Sequence, residues 1–261
     1  MLEYLEEEGQ SIEPTYYVPT VPLALINGAD GIGTGWSTDV PPFNPRDIVA
    51  NLRGRMAGRP FERMHPWFKN FRGEVQPNGK GYTVKGVYKV VGDNELEITE
   101  LPVKKWTRDY KSFLEELAEK EKVDEISEYH TENRVHFIVG IPGVCGLADS
   151  ALEKNFKLSS SLATSNLVLF SSTGQIRRYA DEREILEEFY SVRETLYQRR
   201  KDYLIRKLRK EHALLENKVR FILGVIEDEI RVQKKRRKEV VAMLSDKGFA
   251  TITEINAILG E

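Results

Sequence analysis

Leu204-Ile-Arg-Lys-Leu-Arg-Lys-Glu-His-Ala-Leu-Leu-Glu-Asn-Lys-Val-Arg-Phe-Ile-Leu-Gly-Val-Ile226 repeats apolar residues at helical spacing. Leu204, Leu208, Leu215, Val219, Ile222 and Ile226 follow one another in steps of three, four or seven, so they share one helix face, while Arg and Lys occupy much of the remainder. From residue 181 to about 230 there is no proline, and Gly224 is the only glycine. One continuous helix of that length would reach ~75 Å at 1.5 Å per residue, too long for the core of a globular domain. Its stripe wants a coiled-coil partner, and no segment of this chain returns along it. A piece of a longer protein is therefore expected. Residues 242–244 and 252–259 add two short helices around Gly248.

Two other compositional regimes precede that helix. Residues 1–48 are rich in turn formers and read as loops with short strands. In Tyr16-Tyr-Val-Pro-Thr-Val-Pro-Leu-Ala-Leu-Ile26 the prolines forbid a regular helix and push Val18 and Val21 into extended conformations. Asn27-Gly28 then turns the chain, and Gly31, Gly33 and Gly35 bracket Ile32 and Thr34. Residues 49–180 carry strand patterns in Tyr82-Thr-Val-Lys-Gly-Val-Tyr-Lys-Val-Val91, Glu95-Leu-Glu-Ile-Thr-Glu-Leu101, Arg134-Val-His-Phe-Ile-Val-Gly-Ile141 and Asn166-Leu-Val-Leu-Phe170. Between them, residues 109–122 place Tyr110, Phe113, Leu114 and Leu117 at helical spacing. The sequence thus divides into 1–48, 49–180 and 181–261, with an α+β fold followed by a long coiled-coil helix.

Across its 261 residues, 39 Lys and Arg nearly balance 41 Asp and Glu, so charge informs only where it is local. A single cysteine, Cys145, cannot close a disulfide within the chain, and four scattered His residues give no structural zinc set. No apolar run approaches the ~20 residues that cross a bilayer, and the acidic start lacks the basic region of a signal peptide. No membrane association is expected. Nucleophile motifs and metal-type His pairs are missing as well.

Several segments could instead carry binding. Gly31-Ile-Gly-Thr-Gly35 is not a phosphate loop, because neither the G-x-G-x-x-G spacing nor a following Lys is present. It is either an ordinary turn with a buried isoleucine or a freed backbone that pushes Ile32 forward as an apolar wedge, the device by which minor-groove benders unstack a base step. Residues 53–105 hold eleven Lys or Arg against six Asp or Glu, interleaved with aromatics, which suits phosphate contact and equally suits a solvated face over an aromatic core. In Lys104-Lys105-Trp106 two cations beside an indole can grip a backbone phosphate. The run Lys157, Leu158, Ser159, Ser160, Ser161, Leu162, Ala163, Thr164, Ser165, Asn166 offers six hydroxyl or amide side chains behind one Lys, or is only a polar loop. Residues 199–238 hold fifteen basic and six acidic residues, the pattern of a coiled coil's solvated back.

Glu13-Pro-Thr-Tyr-Tyr-Val-Pro-Thr-Val-Pro-Leu-Ala-Leu-Ile-Asn-Gly-Ala-Asp-Gly-Ile-Gly-Thr-Gly-Trp-Ser-Thr38 closely resembles the eukaryotic type IIA DNA topoisomerases, the topoisomerase II family. The resemblance continues through Pro66-Trp-Phe-Lys-Asn-Phe-Arg-Gly73, Glu97-Ile-Thr-Glu-Leu-Pro-Val-Lys-Lys-Trp-Thr107, residues 156–170 and Asn217-Lys-Val-Arg-Phe-Ile-Leu223. It implies the end of a winged-helix region over 1–48, a mixed-sheet tower domain over 49–180, and a long coiled-coil helix with the start of the exit gate over 181–261. It also implies that Ile32 intercalates and bends the gate duplex, that Trp106 contacts DNA, and that residues 157–166 form a polar DNA-contacting stretch. Gly33-Thr-Gly-Trp-Ser37 and residues 156–170 look eukaryotic rather than gyrase-like.

By the same resemblance, the complete enzyme is a homodimer of the nucleus. It relaxes and decatenates double-stranded DNA by transient double-strand breakage and strand passage, using ATP and Mg2+. The family's active-site tyrosine lies farther upstream of the wedge than Met1, and Tyr4, Tyr16 and Tyr17 are too close to replace it. No catalytic residue and no cofactor is therefore assigned here, and the isolated piece is expected to be inactive. A non-enzymatic coiled-coil scaffold with a protein-binding α+β body is the alternative; it would leave Ile32 buried.

Overall fold

The computed structural model describes residues 3–79 and 81–258. In chain order the elements are β1 (Tyr4–Glu7), β2 (Gln10–Pro14), α1 (Leu23–Asn27), β3 (Ala29–Ile32), β4 (Ser37–Val40), α2 (Pro45–Met56), β5 (Glu74–Asn78), β6 (Gly81–Lys85), β7 (Val87–Val91) and β8 (Glu95–Glu100). There follow α3 (Thr107–Glu119), β9 (Glu125–Glu128), β10 (Phe137–Gly140), α4 (Asp149–Asn155), β11 (Ser159–Ala163), β12 (Leu167–Phe170), β13 (Ile176–Tyr179), α5 (Glu182–Ile226), α6 (Arg237–Asp246) and α7 (Ile252–Ala257). Every pairing between these strands is antiparallel, so the α+β class holds and the mixture lies in sheets with helices, not in strand direction. Contacts group the chain into two units, residues 19–190 and residues 1–18 with 191–261.

In the first unit the order β7-β8-β10-β9 makes a four-stranded sheet and β11-β6-β5 a three-stranded one. The run 82–91, which reads as one strand, is split between them at Gly86. A Cβ there would lie 2.3 Å from the Glu100 carbonyl oxygen, and the Gly86 N–H donates to the Leu158 carbonyl at 2.9 Å. Only a glycine lets the backbone pass so close and change sheets. Leu96, Ile98, Tyr110, Leu114, Phe137, Val139 and Phe156 form one core where α3 covers the four-stranded sheet. Leu25, Val40, Phe43, Ile48, Leu167, Tyr179 and Leu186 form another beneath β4, α2 and β12. The prolines at 19 and 22 do hold the chain out of a helix, but only as far as Pro22, after which α1 forms a little over one turn.

The second unit carries the hairpin β1–β2 and α5 from residue 191 onward. At 45 residues α5 is close to the expected length, about 68 Å. It stops near Gly224, whose carbonyl accepts the Ile230 N–H at 2.8 Å. Arg220 and Asn217 then hold the return: Arg220 donates to the carbonyls of Lys247 and Gly248, and Asn217 to that of Ala250. Leu204, Leu208, Leu215, Val219, Ile222 and Ile226 are all exposed, so none of the described residues buries the stripe. The two short helices are present as α6 and α7; Leu259, placed in the second by its sequence, lies outside the described residues.

Candidate nucleic-acid interface

The isoleucine between glycines sits on the hairpin β3–β4. Its base is built first: Gly28 ends α1 at φ +74°, and a Cβ there would lie 2.8 Å from the Val40 carbonyl oxygen. The strands then pair Ala29 with Val40, Asp30 with Asp39, Gly31 with Thr38 and Ile32 with Ser37. Val40 is buried in the core with Leu25 and Phe43, so the hairpin stands on a rigid base. At its far end the Gly33 N–H donates to the Trp36 carbonyl at 2.8 Å, closing the turn 33–36.

Ile32 is 93% exposed. Leaving an isoleucine in water forgoes roughly 1.5–3 kcal/mol of burial, so folding does not account for its placement. This removes the buried-turn reading. It also counts against the scaffold reading, which needs no exposed isoleucine.

Asp30 and Asp39 face each other across the hairpin, and like charges directly opposite destabilise a strand pair. Lys104 answers both. Its Nζ lies 2.9 Å from each Asp39 carboxylate oxygen and 3.3 Å from Asp30 Oδ2. The hydrogen bond to Asp39 chiefly raises its ammonium above the ordinary lysine value, against burial. Lys104 adopts φ +68°, a left-handed backbone that costs a non-glycine residue on the order of 1–3 kcal/mol. A second tether comes from Asn166: its Nδ2 donates to Ser37 Oγ at 2.9 Å and its carbonyl accepts the Asp39 N–H at 2.9 Å. Segments 29–40, 104–106 and 166, far apart in sequence, thus meet at one hairpin.

Trp106 is the N-cap of α3 and is 74% exposed. Behind it, the Tyr110 hydroxyl donates to the Phe156 carbonyl at 2.7 Å, which brings the chain before β11 against α3. Lys157 consequently lies with its Nζ 3.9 Å from the Phe113 ring centroid. Lys104, Lys105, Trp106, Asp109, Phe113 and Lys157 line an open cleft of ≈ 220 Å³. Burial lowers the Lys105 pKa, and the neighbouring Lys157 charge lowers it further. Two mutually repelling ammonium groups thus stand beside an exposed indole, with the Asp109 carboxylate lining the same cleft.

The run 157–166 is not a loop. Residues 159–163 are β11, paired along β6 from Ser159 opposite Lys85 to Ala163 opposite Gly81. Strand alternation buries Leu162 against Tyr82 and Val84, and Leu158 is fully buried in the core under α3. The side chains of Leu158 and Leu162 are therefore withdrawn from any ligand, a correction to treating all ten residues alike. Lys157, Ser161, Ala163 and Ser165 are exposed, and Ser159, Ser160, Thr164 and Asn166 are half-buried.

Asp30 and Asp39 form no motif of their own in the linear sequence. Their one readable signal is that they are equidistant from the turn 33–36, which makes them cross-strand partners in any hairpin closed there. Among the described residues no group of three or more His, Cys, Asp or Glu could hold a metal ion. No helix of the described residues is long and apolar enough to cross a membrane.

The family model for the A-type subunits of DNA gyrase/topoisomerase IV matches residues 1–258. DNA topoisomerase 2 of Plasmodium falciparum is 44% identical over the whole chain, and that of Arabidopsis thaliana is 40% identical over 95% of it. The chain spans 19% and 18% of the lengths of these two relatives. The crystal structure of the Plasmodium falciparum topoisomerase II DNA-binding, cleavage and re-ligation domain superposes with a TM-score of 0.86 at 41% identity, covering 98% of this chain and 36% of that one. On sequence and fold together, the chain belongs to the DNA gyrase/topoisomerase IV family of A-type subunits, and it corresponds to a segment of the cleavage core of the eukaryotic type II topoisomerases.

Proposed function

We propose that this segment grips and bends double-stranded DNA within an ATP-dependent type IIA topoisomerase that relaxes and decatenates DNA by transient double-strand breakage and strand passage. The observation that carries the proposal is Ile32, almost wholly exposed on a glycine-flanked hairpin that Lys104 and Asn166 tie to the segment presenting Trp106 and to the end of the 157–166 run. An apolar side chain so placed can enter a base step, at a cost of about a few kcal/mol that contacts along the bent duplex offset. Lys105 and Lys157 supply phosphate charge, Trp106 an indole face and donor, and Ser159, Ser160, Ser161, Thr164, Ser165 and Asn166 hydrogen-bonding groups or backbone at β11 and its exit.

In this reading residues 1–48 close a winged-helix region, 49–180 are the tower domain, and 181–261 carry the coiled-coil helix towards the exit gate. The exposed stripe of α5 supports a helical partner from another part of the full-length protein. The complete enzyme would act as a homodimer in the nucleus, with ATP, Mg2+ and the strand-breaking tyrosine held by parts of the relatives' length outside this segment. The test is Ile32→Ala in the full-length protein, with a duplex labelled at both ends for fluorescence transfer. The bent population should fall at least tenfold, while the salt dependence of binding, set by phosphate contacts, keeps its slope. Unchanged bending rejects the wedge.

A further inference from the structure

We infer that Lys104 is a positioning residue for the wedge: it locks the cross-strand carboxylates Asp30 and Asp39 and so fixes Ile32 relative to Trp106, without itself binding a phosphate. The inference rests on the wedge reading above and gives Lys104 and Lys105, neighbours in sequence, different tasks.

A lysine ammonium has three N–H donors and no acceptor. Lys104 Nζ has three carboxylate oxygens within 3.3 Å, two from Asp39 and one from Asp30, so its donors are matched one for one inside the protein. A phosphate could take Lys104 only by displacing a carboxylate and exposing the Asp30–Asp39 repulsion again. Lys105 makes no ion pair among the described residues; it shares its cleft with Lys157, whose charge adds to burial in lowering its pKa, and with Asp109. The phosphate-facing cation of the pair is therefore Lys105.

The geometry explains why the clamp matters for bending. Asp30 lies two residues before Ile32 on β3, and Asp39 lies opposite it on β4. Lys104 lies two residues before Trp106, the N-cap of α3. A cation joining these points connects the wedge to the segment presenting the indole across a gap of 74 residues in sequence. Without it, the hairpin keeps its base on the core but loses its link to that segment and gains an unshielded pair of negative charges next to where DNA would lie.

The experiment uses the full-length protein and the doubly labelled duplex, comparing Lys104→Met, Lys104→Arg, Asp39→Asn and the double variant Lys104→Met/Asp39→Asn with Ile32→Ala. Lys104→Met and Asp39→Asn should each lower the bent population about tenfold, and the double variant should be no worse than either alone, the signature of two groups acting as a unit. Lys104→Arg should retain bending. The slope of log affinity against log salt should stay at the parental value in all of them. A slope reduced by about 0.9 in Lys104→Met, or additive losses in the double variant, would overturn the positioning role and make Lys104 a phosphate ligand. Should Lys104→Met fail to fold, Lys104→Arg and Asp39→Asn still decide: normal bending in Asp39→Asn overturns the proposal. If Ile32→Ala bends DNA normally, the wedge reading falls and this inference with it. If Ile32→Ala loses bending while Lys104→Met and Asp39→Asn keep it, only the positioning role is lost.

Discussion

The hairpins β3–β4 and β12–β13 have strands of equal length, and both expose a large apolar side chain near the turn. In the first, the exposed residue is Ile32, paired across the ladder with Ser37. In the second it is Phe170, 74% exposed and paired with Ile176, so it has an apolar neighbour of its own. Their tethers carry opposite charge. A lysine holds two carboxylates of β3–β4, whereas a carboxylate from α5, Glu188, accepts from the Ser172 N–H at 2.6 Å, the Tyr179 hydroxyl at 2.8 Å and Arg177 at 2.9 Å. An exposed apolar residue is therefore a weak signal by itself. What distinguishes Ile32 is that its cross-strand partner is Ser37, not an apolar residue, and that it is linked to a segment bearing one cation outside any ion pair, Lys105, and an indole.

The largest expected effect separates the two hairpins directly. Ile32→Ala should remove most of the bent duplex population in fluorescence transfer, and Phe170→Ala should leave it at the parental level; loss of bending in the second variant would erase the distinction. Next comes Gly28→Ala at the base of the first hairpin. A positive φ combined with a Cβ 2.8 Å from the Val40 carbonyl should cost about 3 kcal/mol in denaturant unfolding. Gly174→Ala in the second turn meets a positive φ but open space, so about 1 kcal/mol is expected there. Equal losses would show that close approach at Gly28 is relieved by a small shift.

Glu188→Gln addresses the second tether and should cost about 1–3 kcal/mol, since it weakens hydrogen bonds to a charged acceptor. Burial pushes the Glu188 carboxyl up, but the hydrogen bonds from Ser172 and Tyr179 and the Arg177 charge outweigh it, leaving it below the ordinary carboxylate value. Because its pKa is depressed on folding, the carboxylate contributes stability above the unfolded pKa, and that contribution disappears as pH falls through the folded one. Thermal melts of Glu188→Gln should accordingly lose less stability on acidification than the parent. The smallest effect contrasts the two lysines: Lys105→Met should reduce the salt slope of DNA binding by about 0.9, and Lys104→Met should not change it.

Parts of this organisation are legible in the linear chain because they depend on neighbours within a few residues. The apolar steps from Leu204 to Ile226 specify a helical face whatever surrounds them, and α5 occupies nearly the span expected. Glycines on both sides of Ile32 likewise mark a backbone where a side chain can project. The limits appear where pairing is long-range. Alternation through 82–91 reads as one strand because a linear pattern does not record which partner each half meets; Gly86 changes sheets between β6 and β7. The serines of 157–166 look like a loop because strand propensity is weak, yet pairing with β6 makes them a strand and buries Leu162.

Sequence alone was enough to determine the length and amphipathic face of α5, the α+β class and the freedom of the backbone around Ile32, since each follows from local spacing and the steric properties of glycine and proline. Tertiary structure decided which of two adjacent lysines is consumed by carboxylates, which residues of 157–166 face solvent, and that three distant segments converge on one hairpin. Those outcomes depend on which groups come within about 3 Å after folding, and hydrogen bonds and ion pairs at that range carry no periodic trace along the chain.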